Sequence, residues 1–283
     1  MSFLRHIIAC NTHDLDRFRP FRVAGRQVGW LRLDFLMQLA RFGGPFVPQE
    51  GGIALADDLD TAEARSSAVA EALAELVRRG VLPRLRGEIY PVLTEWGATP
   101  LLGLDRGVVS FFGIKSFGLH INGFVRRPDG LHLWVGLRAK DRGIAPGQYD
   151  NLVAGGQPMG LTLAENLVKE AREEADLPPD LAARATPVGA ISYRMENGRG
   201  LKDDTLFCYD LDLAPDVVPR NTDGEVERFE LWPVERVAAS VRDSDDWKFN
   251  VNLVVIDFLI RHGVLTPEHP EYLALCRGLR RPA

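Results

Sequence analysis

Residues 151–179 read NLVAGGQPMGLTLAENLVKEAREEADLPP, a glycine-rich turn followed by a helix with Glu170, Glu173 and Glu174 in its second half. Thr162 and Glu165 have the spacing of a capping box, with Thr162 as N-cap and Glu165 at the third helical position. Leu177-Pro178-Pro179 ends the helix, because the residue before a proline avoids the helical region. Glu165 also stands four residues before Lys169, a favourable helical ion pair, so its role is structural. At about 100° per residue, Glu173 lies roughly 60° to one side of Glu170 and Glu174 roughly 40° to the other. The three carboxylates thus share one face. Leu167, Ala171, Ala175, Ala164 and Val168 form the apolar stripe expected to be buried.

An acidic helix face is most often a solvated one. Two features weigh against that outcome here. The carboxylates occupy the C-terminal half of the helix, where the dipole disfavours negative charge. They also follow a loop whose Gly155 and Gly156 let backbone approach a ligand closely. A divalent cation answers both points. Mg²⁺ takes hard oxygen ligands and commonly bridges carboxylates to substrate phosphates, with Mn²⁺ as an alternative.

Outward from this stretch, the 283-residue chain has the length of one large domain or two ordinary ones. Its net charge is −5, from 34 basic and 39 acidic residues. That balance lacks the basic excess of a nucleic-acid-binding surface. Cys10, Cys208 and Cys276 are far apart and odd in number, which implies reduced thiols and a cytoplasmic protein rather than a disulfide framework or zinc site. The apolar run in MSFLRHIIACNTHDLDRF is too short for a signal peptide. No segment approaches the ~20 apolar residues of a membrane helix, so no membrane partner is expected.

Residues 1–110 read as a small α/β unit. FRPFRVAGRQVGWL (18–31) is strand-like, LRLDFLMQLARF (31–42) has helical periodicity, and TAEARSSAVAEALAELVRRG (61–80) is a capped helix ending at Gly80. EIYPVLTEW (88–96) is extended. Residues 111–283 form a second unit. LHINGFVRR (119–127) and LHLWVGLRA (131–139) are strands joined by a Pro-Asp-Gly turn. After the carboxylate helix, PVGAISYRME and TLFCYDLDL are strands, ERFELWPVERVAA is a strand leading into a helix, and NVNLVVIDFLIRHG (250–263) is a buried helix.

The central stretch resembles the Nudix box, G-x5-E-x7-R-E-U-x-E-E-x-G-U, where U is a bulky aliphatic residue. Gly155 takes the first position, Gly160 the place of the glycine before the helix, Glu170 the Glu of "RE", Glu173 and Glu174 the "EE", and Leu177 the final aliphatic. Leu161 replaces the first Glu, Lys169 the Arg, Ala171 a bulkier residue and Asp176 the Gly. FFGIKSFGLHINGFV (111–125), YDNLVAGG (149–156), KEAREEADLP (169–178) and DFLIRHG (257–263) together resemble one Nudix branch. It contains the Nudix part of fungal thiamine pyrophosphokinase fusions, and there Lys-Glu in place of Arg-Glu, and Glu-Glu-Ala followed by an aliphatic residue and Pro, are familiar. CNTHDLDRFRPFRVAGRQVGWL (10–31) is similar to the start of the domain that precedes Nudix in that branch.

The resemblance implies an α/β (α+β) fold: a Nudix α/β/α sandwich with a mixed sheet, preceded by a small α/β N-terminal domain. It also implies hydrolysis of a small organic diphosphate to a monophosphate and phosphate. For this branch, the implied substrates are oxidised or damaged thiamine diphosphate derivatives. Glu170 and Glu174 are then the primary metal ligands, and Glu173 a further ligand or supporting base. Substrate contacts would come from Arg138 and Lys140 on phosphate, from His120 and Asn122, and from Glu225, on a loop that often supplies another acid. Surface charge, a satisfied strand histidine and a solvated turn are the plain alternatives for these residues. Trp134 and Trp232 suit core packing better than ring stacking. A non-catalytic ligand sensor, with Leu161 in place of Glu as its best argument, and an isoprenoid diphosphate isomerase are the competing functions. The sequence does not fix the oligomeric state.

Overall fold

The computed structural model describes residues 1–141 and 143–280. Helix α1 (Leu4–Ala9) opens the chain. Strands β1 (Phe18–Val23) and β2 (Arg26–Arg32) follow as a hairpin. Helix α2 (Leu33–Phe42) starts two residues later than the periodicity predicts, because Leu31 and Arg32 finish β2 opposite Arg19 and Phe18. Strands β3 (Phe46–Gln49) and β4 (Gly52–Leu55) complete a four-stranded sheet of order β2-β1-β4-β3, in which β1 and β4 run parallel.

Helix α3 (Ala62–Arg78) is capped by Thr61, whose hydroxyl accepts from the Ala64 N–H at 3.0 Å. It buries Val69, Ala72, Leu73 and Leu76, the three-and-four spacing of one helix face. The hairpin β5 (Ile89–Val92) and β6 (Leu102–Asp105) packs on it, with the Gly103 N–H donating to Ser66 Oγ at 2.8 Å. The short α4 (Val109–Phe112) plants Phe112 at the centre of this first core.

The second unit is built on the long strands β7 (Lys115–Arg127) and β8 (Gly130–Arg138). Next come β9 (Tyr149–Asp150), β10 (Val153–Gly156), α5 (Leu163–Ala175), α6 (Pro179–Ala182), β11 (Thr186–Asn197), β12 (Gly200–Asp212) and β13 (Val226–Pro233). Helices α7 (Val234–Asp243), α8 (Val251–Arg261) and α9 (Tyr272–Gly278) end the fold. The sheet order is β11-β12-β7-β8-β13, with β10 added on β7 and β9 on β8. Among the described residues, the β7–β12 strand pair of this sheet is parallel and its other strand pairs are antiparallel, so the sheet is mixed.

Apolar side chains alternate across β7. Leu119, Ile121 and Val125 join Leu167, Ala171 and Ala175 of α5 in one core, while Phe124 joins Val237 and Val241 of α7 and most of α8 in another. Helices therefore cover both faces, the α/β/α sandwich that the sequence implies. Phe3, Ile7 and Cys10, around α1, pack into the core beneath α8 and not into the first unit. Among the described residues, no helix is long and apolar enough to cross a membrane.

A buried polar chain runs through the sheet. His120 Nδ1 meets Asn151 Oδ1 at 2.8 Å, Asn151 Nδ2 donates to Asn122 Oδ1 at 2.8 Å, and Asn122 Nδ2 donates to Asp210 at 3.1 Å. Asp210 also accepts from Arg261 and His262. Burial, and after it the Lys248 charge, push the His120 imidazole down from 6.5 to about 4, against the opposing pull of Asp150 and Asn151. The unfolded chain therefore takes up this proton before the folded one does. Stability is full above about pH 6.5 and falls as the pH drops towards about 4, a limit of roughly 3 kcal/mol from this group. Urea unfolding at about pH 7 and about pH 4.5 measures the loss, which should shrink in His120→Gln. An equal loss in the variant would assign the acid lability elsewhere.

Candidate active site

Helix α5 carries the capping box expected of it. The Glu165 N–H donates to Thr162 Oγ1 and the Thr162 N–H to Glu165 Oε2. It ends at Asp176, which takes the left-handed conformation (φ 55°) at the position where the box pattern has glycine. Aspartate is one of the few residues with a side chain that tolerates that conformation.

The helix docks on β10, whose Gly155 and Gly156 pair with Leu119 and Gly118 of β7. A Cβ on Gly155 would fall 2.5 Å from Glu170 Cδ and 2.7 Å from its Oε2, so the Glu170 carboxylate lies on bare backbone. Glu174 reaches the same strand one residue earlier, where its Oε2 accepts from the Ala154 N–H at 2.9 Å. Asn166, four residues before Glu170, donates to the Gly156 carbonyl at 2.8 Å and to Gln157 Oε1 at 3.2 Å. Asn166, Glu170 and Glu174 thus form one ridge of the helix at i, i+4 and i+8, clamped to the glycine strand.

This docking corrects the expected burial. Glu170 and Glu174 are buried, whereas Ala164, assigned to the apolar stripe, is exposed. The missing side chain at Gly155 leaves the space that Glu170 fills. Burial raises the Glu174 carboxyl well above its ordinary range, and the charges of Glu170, Asp150 and Glu225 add to it against the pull of the Ala154 N–H. Burial likewise raises Glu170, despite the attraction of Lys169.

Glu173 does not join this pair. It points outward, half exposed, and Lys169 Nζ bridges it at 2.7 Å to Glu170 at 2.9 Å. An open hollow of about 950 Å³ runs along this outer side of α5, lined by Lys169, Arg172, Glu173 and Thr222. It reaches neither Glu170 nor Glu174, and its mixed charges mark it as a surface groove rather than the seat of the inward carboxylates. Among the described residues, no three acidic, histidine or cysteine side chains are already grouped to hold a metal ion. The donor set still suits a hard cation in kind. Two desolvated carboxylates lie close enough to repel, and the Lys169 ammonium supplies part of the missing positive charge.

Glu225 lies in the loop before β13. Its carbonyl accepts from the Ala139 N–H at 3.0 Å, and its charge is felt at Glu174. Lys140 is exposed on the loop after β8. Arg138 is half-buried and already paired with Asp150 at 2.8 Å, an acid that it shares with Lys248, so it is not free to meet a phosphate without leaving that pair. His120 and Asn122 are buried and spend their polar atoms within the chain of the sheet, not at a surface open to substrate, which corrects the contacts expected of them. Trp134 and Trp232 are core residues.

Sequence reasoning missed what the N-terminal unit brings here. The Met159 N–H donates to the Ile89 carbonyl of β5 at 2.8 Å, tying the glycine loop to that strand. The Tyr90 hydroxyl sits where a side chain on Gly156 would begin. Trp96 packs 4.7 Å from both Phe117 and Phe207, and the Phe117 carbonyl accepts from the Gln157 N–H. No periodicity announces such contacts, because each joins residues far apart in the chain.

A mixed sheet between helices, with a glycine-containing strand gripping two glutamates of the following helix, is an α/β/α arrangement that comparison with known proteins makes specific. Residues 2–116 match a family model described as a domain of unknown function, DUF4743. Nudix hydrolase 24, chloroplastic, of Arabidopsis thaliana is 42% identical over 283 residues, covering 99% of this chain and 78% of that protein. Nudix hydrolase 20, chloroplastic, of the same plant is 40% identical over 290 residues, with the same coverage of each. A solved MutT protein from Methanosarcina mazei Go1 has a TM-score of 0.38 and 14% identity, over 53% of this chain and 96% of its own. The chain belongs to the Nudix hydrolases. It is an enzyme that hydrolyses pyrophosphate bonds, in a family that generally uses divalent metals.

Proposed function

We propose that this enzyme is a Mg²⁺-dependent diphosphohydrolase that converts an organic diphosphate and water into the monophosphate and inorganic phosphate. Its substrates are oxidised or damaged forms of thiamine diphosphate. The substrate class is supported by the branch resemblance of residues 111–125, 149–156, 169–178 and 257–263. The observation that carries the reaction is the pair of buried carboxylates, Glu170 and Glu174, gripped on β10.

Glu170 and Glu174 are the residues that would hold the cation, with Glu173 as a further ligand or supporting base once Lys169 turns from it. A bound divalent ion lowers the pKa of water and neutralises phosphate oxygens. The Ala154 N–H fixes Glu174 Oε2, so the carboxylate does not need to reorient during the reaction. Gly155 leaves room for the Glu170 carboxylate on the strand, and Gly156 leaves room for the Tyr90 hydroxyl. Glu225 adds a further negative charge beside Glu174, after Glu170 and Asp150. We place the protein in a reducing compartment such as the cytoplasm, supported by its unpaired Cys10, Cys208 and Cys276. We take residues 1–110 and 111–283 as its two units, supported by their largely separate apolar cores; α1 packs on the second, while Phe112 and Ile114 reach back into the first.

The test is a hydrolysis screen over thiamine diphosphate, its oxo and oxy derivatives, ADP-ribose, NADH, CoA and nucleoside diphosphates, with products identified. Turnover should be highest on the oxidised thiamine diphosphates, release inorganic phosphate and stop on addition of EDTA. Faster turnover of ADP-ribose or NADH would reassign the substrate, and EDTA-insensitive turnover would remove the cation.

A further inference from the structure

The Lys169 ammonium, which acts on Glu170, is already engaged, spanning Glu170 and Glu173, and Arg138 pairs with Asp150, whose charge is felt at Glu174. A diphosphate brings more negative charge into this region, so a further positive group is needed beside it. The β5–β6 hairpin supplies one. Arg106 follows the last residue of β6, its N–H donates to the Glu88 carbonyl at 2.9 Å, and its guanidinium pairs with the Glu88 carboxylate. Both side chains stay open to solvent, at 44% for Arg106 and 26% for Glu88.

The position of the hairpin is fixed. Next to Glu88, the Ile89 carbonyl is bonded to Met159 of the glycine loop, and Tyr90 abuts Gly156. The ion pair therefore sits at the end of a hairpin docked on the strand that grips Glu170 and Glu174. The charges register this closeness. Glu88 acts on the Glu170 carboxyl, and the Glu225 carboxylate acts on Arg106.

We propose that Arg106, from the N-terminal unit, is a substrate-binding residue of this active site, its planar fork leaving Glu88 to take the phosphate oxygens of the diphosphate. The assignment rests on the reading that Glu170 and Glu174 mark the place of the diphosphate. It gives the N-terminal unit a direct part in recognition. Glu88 keeps the guanidinium aligned before substrate arrives and prevents it from pairing with the catalytic glutamates. An arginine suits this role because its fork matches two phosphate oxygens at once, which a lysine does not.

The experiment compares wild type, Arg106→Ala, Arg106→Lys and Glu174→Gln. Two readouts are taken: KM and kcat on the best substrate of the screen, and calorimetric affinity for inorganic pyrophosphate. Arg106→Ala should raise KM and weaken pyrophosphate binding by about tenfold or more, with kcat changed less, as expected for loss of charge-assisted hydrogen bonds. Arg106→Lys should fall between the two, and it keeps the test readable should the alanine variant fail to fold. Pyrophosphate affinity and KM within about twofold of wild type in the variants would overturn the assignment. The two readings fail separately. If Glu174→Gln hydrolyses as well as wild type, the placement of the chemistry falls, whereas the pyrophosphate titration still judges Arg106 directly.

Discussion

Glu174→Gln should lower Mg²⁺-dependent turnover by about 10²–10³-fold, the scale of losing one fixed electrostatic group in a site, while leaving the fold as stable as wild type or more so. The two effects have one cause. The carboxylate is buried and repelled by Glu170, Asp150 and Glu225, so its negative charge opposes folding of the metal-free protein. Glutamine keeps the shape, and its side-chain carbonyl still accepts the Ala154 N–H. Only the charge is lost, and the charge is what a cation would use. Turnover across a Mg²⁺ titration and urea unfolding without metal separate the two consequences. Undiminished turnover would show that the chemistry lies elsewhere. Lost activity together with a lower unfolding midpoint would show that Glu174 serves the fold.

Gly156→Ala tests the junction between the units. The new methyl group would take the place of the Tyr90 hydroxyl and lie 2.5 Å from the ring carbon that bears it. Tyr90 is a ring on a docked strand and cannot swing clear as a long flexible chain would, so the strand and the glycine loop must part. Overpacking of this kind costs about 1–3 kcal/mol. The loop carries the Gly156 carbonyl that receives Asn166, so its shift also moves α5 and its glutamates. A displacement of about 1 Å at a catalytic group costs on the order of 10²-fold in rate. Tyr90→Ala in the same chain makes room, and the double variant should be more stable than the sum of the single changes allows. Strict additivity, or a Gly156→Ala protein as active as wild type, would show that Tyr90 does not press on the loop.

The local grammar of this protein was legible in the residues. Thr162 and Glu165 named the start of α5, Leu177-Pro178-Pro179 its end, and the alternation in 119–127 and 131–139 marked strands that cross the centre of the sheet. These features depend on interactions between residues a few positions apart, which spacing alone records. The Nudix-like spacing of Gly155, Glu170, Glu173 and Glu174 likewise pointed to the family before any coordinates. The angular arithmetic placed three glutamates on one face but could not say which way that face turned.

Tertiary packing decided that. The missing side chain at Gly155 makes room for Glu170 on β10 beside Glu174, while Glu173 stays with Lys169 at the surface. Packing also paired Arg138 with Asp150, enclosed His120 and Asn122, and brought Ile89 and Tyr90 against a loop some seventy residues further along the chain. A helix is built from neighbours in the chain, so its sequence specifies it. Which of its sides meets the protein depends on the shape of a surface made by other segments, and that surface exists only once the chain has folded.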